Sequence, residues 1–211
     1  MRGRSGNESD EYRKLRDELA LAEIALREQR ERAADLRRWL PLDQEIEDHV
    51  FRDARLSELF EQPDRPLVLM HFMYGKKQEQ FCPMCTMWAD GYSGLAPHIR
   101  QRANFAVLIA GELEPFRAYA LARGWQDLRI VSAGDSTLKR DLGFEDEDGA
   151  QHPGVSVFVM REGRMVHSYS ACAQMADDQF RGVDLLCPTW HFFDLLPEGR
   201  GDWFPSREYT N

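Results

Sequence analysis

The sequence predicts an α/β domain preceded by a long helix, and three observations carry that prediction. Short apolar runs suited to buried strands alternate with helical stretches along most of the chain. A seam of apolar residues at 3-4 spacing runs from Tyr12 to Leu40, before the first of those runs. A Cys-Pro-Met-Cys sequence, Cys82 to Cys85, stands between an apolar strand and a helical stretch.

Residues 1–8 are polar and read as a disordered tail. Residues 9–45 read as a helical arm. Ser9 suits the N-cap, with Asp10 and Glu11 in the first turn. The seam is Tyr12, Leu15, Leu19, Ala22, Leu26, Ala33, Leu36 and Leu40, interrupted by Gln29, and Pro41 ends it. Glu23/Arg27 and Glu28/Arg32 support the polar side at i,i+4 spacing. Such a seam fits either an arm lying on its own domain or a homodimer contact.

Residues 46–211 read as the α/β domain. A short strand at 49–51 and a one-turn helix at 56–60 come first. LVLMHFM, residues 67–73, is a buried strand. The polar loop YGKKQEQF leads to Cys82, which opens a helix to about Arg102, kinked by Gly91, Gly94 and Pro97. NFAVLIA, 104–110, is a second strand; Leu113 to Arg123 is a helix ended by Gly124; LRIVS, 128–132, is a third strand. An acidic loop follows. Beyond Pro153, two strands flank Arg161-Glu162-Gly163-Arg164 as a hairpin. The stretch from Phe180 to Leu196 reads as a last helix stopped by Pro197.

Composition narrows the function classes. The 211 residues include 27 Lys plus Arg against 36 Asp plus Glu, a formal charge of -9. That balance argues against nucleic acid or an anionic membrane as partner. No apolar run approaches the ~20 residues of a membrane span. The N-terminus lacks the apolar core of a signal peptide. Four cysteines do not make a secreted disulfide framework at this length, so the expected compartment is a reducing cytoplasm.

The dithiol is the chemical signal. Exchange needs a thiolate nucleophile and a second thiol close enough to resolve the mixed disulfide. At a helix start, backbone N–H groups and the helix dipole stabilise the thiolate of the first cysteine. Cys82 falls at the expected N-cap, and Pro83 suits N1, where a missing N–H costs nothing. Three alternatives compete. Structural zinc lacks a second CxxC or a His pair, and Cys172 and Cys187 are isolated. A peroxidatic cysteine wants Pro and Thr or Ser upstream, where this chain has KKQEQF. A non-catalytic thiol pair would leave a binding scaffold. His152-Pro153-Gly154 ahead of VSVF has the layout of a cis-Pro loop packed against the dithiol. His71 reads as a core histidine, Lys76 and Lys77 as solvated loop, and Cys172 and Cys187 as idle thiols.

The run MHFMYG, then CPMCTMWAD, then PGVSVF, resembles a bacterial thioredoxin-like family known as domain of unknown function 899, described as dithiol–disulfide oxidoreductases. The likeness spans roughly residues 9–196. It implies a thioredoxin-like fold of the peroxiredoxin-like branch with a long N-terminal helix. By the same resemblance Cys82 is the attacking thiol, Cys85 the resolving thiol, Pro153 the cis-proline, and Trp88 lies beside the pair. Trp88 and His152 are the expected substrate-binding residues. No cofactor or metal is implied; the partners would be protein or small-molecule thiols and disulfides. The ending LLCPTWHFF and the acidic, Trp-containing tail depart from the family pattern.

Overall fold

The computed structural model describes residues 8–172, 188–197, 199 and 201–208. The chain divides into two compact units, residues 1–41 and 42–211. The first unit is helix α1, Asp10–Arg38. Ser9 caps it as the sequence predicts, its Oγ accepting the Tyr12 N–H at 3.1 Å. Arg37 and Arg38 in the last turn complement the carbonyl end of the helix dipole. A lone helix cannot bury its own apolar seam, and α1 contains no buried residue.

The second unit is built on a five-stranded sheet. Its strands are β1 (Leu67–His71), β2 (Asn104–Ile109), β3 (Arg129–Ser132), β4 (Gly154–Arg161) and β5 (Arg164–Cys172). Their order across the sheet is β3-β2-β1-β4-β5. β1, β2 and β3 are parallel, whereas β4 runs antiparallel to β1 and forms a hairpin with β5. The parallel strands need crossovers, which α2 (Pro83–Ile99) and α3 (Leu113–Ala122) supply. The turn of the hairpin is Glu162-Gly163, both at positive φ. A register shift between Val157 and Phe158 marks a bulge in β4.

Strand alternation sends side chains to two cores. Met70, Phe72, Val107, Ile109 and Val155 pack with Cys85, Trp88 and Ala89 of α2 and Phe116 and Ala120 of α3. Leu67, Leu69, Ala106, Leu108 and Phe158 pack on the opposite face with Phe51, Leu56, Leu59 and Leu138. Leu138 belongs to α4 (Leu138–Asp141), a single turn after β3 that the sequence reading does not contain. The expected strand at 49–51 is an isolated bridge between Val50 and Arg55, and the helix at 56–60 is a 3-10 turn, Ser57–Leu59. The last described helix is α5, Pro188–Phe193, whose Trp190 joins the first core. Residues 180–187 of the expected C-terminal helix, with Cys187, lie outside the described residues.

No helix among the described residues is long and apolar enough to cross a membrane. None of them forms a cluster of three or more His, Cys, Asp or Glu able to hold a metal ion.

Candidate functional site

The carboxyl ends of β1, β2 and β3 converge on one edge of the sheet, where open α/β folds bind their ligands. Two glycines allow the loops there to meet. A Cβ on Gly75, which has φ +102, would stand 2.1 Å from the Gly111 nitrogen. A Cβ on Gly111 would stand 2.7 Å from the Tyr74 ring. The loop after β1 is thereby held to the loop after β2, with Ala110 N donating to Tyr74 O at 3.0 Å. It then returns to the sheet edge, where Cys82 N donates to Met73 O at 3.4 Å.

Cys82 is the N-cap of α2 and Pro83 its first helical residue. The Cys82 sulfur accepts the Cys85 N–H at 3.3 Å. Thr86 closes the cap: its N–H and Oγ1 both bond the Cys82 carbonyl at 2.9 Å. Tyr119 of α3 meets the same Thr86 hydroxyl at 2.9 Å and stacks on Phe81 at 4.1 Å. An aromatic wall thus fixes the residues on either side of the dithiol. Pro97 lies inside α2 and withholds one N–H from its hydrogen-bond ladder.

The two thiols differ. Cys82 is 5% exposed and Cys85 fully buried. A hydrogen bond from the Cys85 thiol, with the N–H groups of Cys85 and Met84, brings the Cys82 thiol down to about 7 against its burial. Burial, and then the hydrogen bond and charge of Cys82, push Cys85 well above the ordinary thiol range. One thiol is therefore ready to ionise near neutrality and the other is kept protonated. Cys82, Cys85 and Cys172 are free thiols.

The remaining expected residues fall as follows. Trp88 is 1% exposed and packs in the core with Cys85. Its place one turn past Cys85 on the buried side of α2 is the reason. Pro153 is not cis: no peptide bond among the described residues is. The backbone before β4 is already extended, with Glu145 bridging Gln151 and His152 N donating to Phe144 O at 2.9 Å. A trans peptide carries that line straight into Gly154, which pairs with His71 at the end of β1. His152 faces Asp146 at 2.8 Å. Lys76 and Lys77 do not act on Cys82 but pair with Glu145 and Asp148 of the acidic loop.

His71 lies on the other face of the sheet from the dithiol. It is fully buried, its Nε2 is 2.8 Å from Ser156 Oγ, and its ring stacks on Phe144 at 3.8 Å. Burial holds it neutral, with Lys139 and His167 adding to the effect. Lys139 is the residue that sequence reasoning missed. It is fully buried on α4, its Nζ donates to Phe72 O at 3.4 Å, and burial lowers its ammonium to about 8. Nothing local distinguishes it from a surface lysine, because the neighbours that enclose it are remote in sequence.

The sheet order and the N-capping dithiol define a thioredoxin-like protein. The chain belongs to the DUF899 family of bacterial proteins of unknown function, which matches residues 1–210. The comparison with curated proteins gave no match. Among solved structures the chain is similar to a cysteine-to-serine mutant of peroxiredoxin Q from Xanthomonas campestris, at 13% identity and a TM-score of 0.47, over 63% of this chain and 80% of that one. It is also similar to peroxidoxin BcpB from Mycobacterium tuberculosis, at 20% identity and TM-score 0.45, over 63% and 81%. A third is the exposed lipoprotein thioredoxin of Streptococcus pneumoniae, at 12% identity and TM-score 0.39, over 63% and 87%.

Proposed function

We propose that this protein is a thiol–disulfide oxidoreductase in which Cys82 attacks and Cys85 resolves. The observation that carries the reading is the asymmetry of the pair. Cys82 is the more exposed residue, its sulfur accepts hydrogen bonds at a helix N-terminus, and its thiol is lowered to about 7. Cys85 is enclosed and held as a thiol.

The chemistry follows in two steps. The Cys82 thiolate attacks one sulfur of a substrate disulfide and expels the other as a thiolate. Cys85 then loses its proton and attacks the Cys82 sulfur. The Cys82–Cys85 bond forms, and the substrate's second sulfur leaves as a thiolate that takes up a proton. Two electrons pass from the protein dithiol to the substrate disulfide. The partners are disulfides or thiols of proteins or small molecules, no cofactor is needed, and the setting is a reducing cytoplasm.

The test is trapping. Cys85→Ser accumulates a mixed disulfide on Cys82 when incubated with a disulfide substrate, and Cys82→Ser abolishes exchange. Trapping by Cys82→Ser instead would reverse the assignment. Inert thiols in the unmodified chain would leave a binding scaffold as the better reading.

A further inference from the structure

We propose that Lys139 is a positioning residue for the Cys85 thiolate, acting through the peptide group that joins Phe72 to Met73. The inference rests on the dithiol-exchange reading and adds the group that serves its second step. Lys139 is fully buried, a rare place for an ammonium. Among the described residues no carboxylate lies within ion-pair distance of it. Its Nζ donates instead to the Phe72 carbonyl oxygen at 3.4 Å.

The N–H of that same peptide group, on Met73, acts on the buried Cys85 thiol in the sense that favours its thiolate. In a trans peptide the C=O and N–H point to opposite sides. The ammonium therefore sits at the carbonyl end of one dipole, and the N–H that favours the Cys85 thiolate is at its other end. The cation polarises that dipole in the sense that strengthens N–H donation to a thiolate. Met73, two residues past β1, also receives the Cys82 N–H on its carbonyl at 3.4 Å.

The titratable and charged groups around this cluster come from several elements. Cys82 and Cys85 face it from α2, His71 from β1, Lys76 from the loop after β1 and Glu145 from the loop after α4. Glu145, the fixed anion, is engaged by Lys76 and by Gln151 at 2.9 Å, with Arg140 at 3.6 Å. The anion that Lys139 is free to serve is the one that forms on Cys85 during resolution. There Cys85 gives up its proton, its sulfur bonds to Cys82 and the Cys82–substrate bond breaks. The departing thiolate takes the proton.

The experiment uses the full chain, reduced, and the aromatic disulfide dithiobis-nitrobenzoate. The first coloured thionitrobenzoate released reports attack by Cys82 and the second reports resolution by Cys85. Lys139→Met keeps the length and removes the charge. It is expected to slow the second release about tenfold or more at neutral pH and to move its pH midpoint upward, leaving the first within roughly twofold. Glu145→Gln, which withdraws the anion that keeps Lys139 charged, is expected to slow the second release in the same direction by less. It decides the matter if Lys139→Met does not fold. A second release unchanged in the folded variant, or both releases slowed equally, would overturn the role of Lys139 while leaving the dithiol reading intact. No first release from Cys82 would overturn the dithiol reading, and this inference with it.

Discussion

The Cys85 N–H points at the Cys82 sulfur across 3.3 Å, and the Cys85 thiol donates to the same atom. The resolving residue thus prepares the nucleophile before any substrate arrives. Removing its thiol should be felt at Cys82. Cys85→Ala is expected to move the midpoint of Cys82 alkylation upward from about 7, toward an ordinary thiol. Iodoacetamide rates against pH, followed by mass spectrometry, make the measurement. An unmoved midpoint would leave the backbone donors of Cys85 and Met84 as the whole cause.

Thr86 ties the start of α2 to α3. It is buried, and its hydroxyl bonds both the Cys82 carbonyl and the Tyr119 hydroxyl. Thr86→Val keeps the shape and loses both bonds. The expected cost is about 1–3 kcal/mol, because the Tyr119 hydroxyl is left without this partner. Urea unfolding of the variant against the parent measures it, with Tyr119→Phe expected to cost less.

The loop that delivers Cys82 depends on Gly75 and Gly111. An alanine at Gly75 meets backbone 2.1 Å away and must hold a φ of +102. Backbone cannot yield as a flexible side chain does. Gly75→Ala is therefore expected to cost about 2 kcal/mol or more and to slow Cys82 alkylation. Normal stability with normal alkylation would contradict the close approach of the two loops.

Buried Lys139 and His71 give the protein a pH dependence of defined sign. Both have folded values below their unfolded ones, so the unfolded chain binds more protons and stability rises with pH. For Lys139 the window lies between about 8 and 10.5, and the full penalty, on the order of 3 kcal/mol, is present below it. Lys139→Met is expected to be more stable than the parent at neutral pH and to lose the rise through that window. Denaturant midpoints across that range show whether it does.

For His71 the loss begins as pH falls below 6.5 and deepens as the unfolded chain takes up a proton that the folded ring refuses. His167, half-buried and also lowered by burial, adds in the same direction. His71→Asn is expected to flatten the decline between neutral and mildly acidic pH, read by thermal melts. An unchanged slope would assign the acid sensitivity to other groups.

Much of the site was legible in the chain itself, because its parts are local. An N-cap, a proline at N1 and a thiol one turn on are set by residues within a few positions, so Cys82, Pro83 and Cys85 and the start of α2 follow from spacing. The same holds for Ser9 at α1 and for the apolar runs that became β1, β2 and the hairpin. What only the tertiary structure decided depends on neighbours far apart in sequence. The trans geometry of Pro153 follows from the extended line that Glu145 and Gln151 set up before β4. The burial of Trp88 follows from which side of α2 meets the sheet. Lys139 reads as a surface lysine on a polar turn. It is buried because α4 packs against the end of β1, where the Phe72 carbonyl, 67 positions away, accepts its hydrogen bond. Hydrophobic spacing reports which faces are covered, whereas the partner of a single buried charge is a long-range contact that no local pattern encodes.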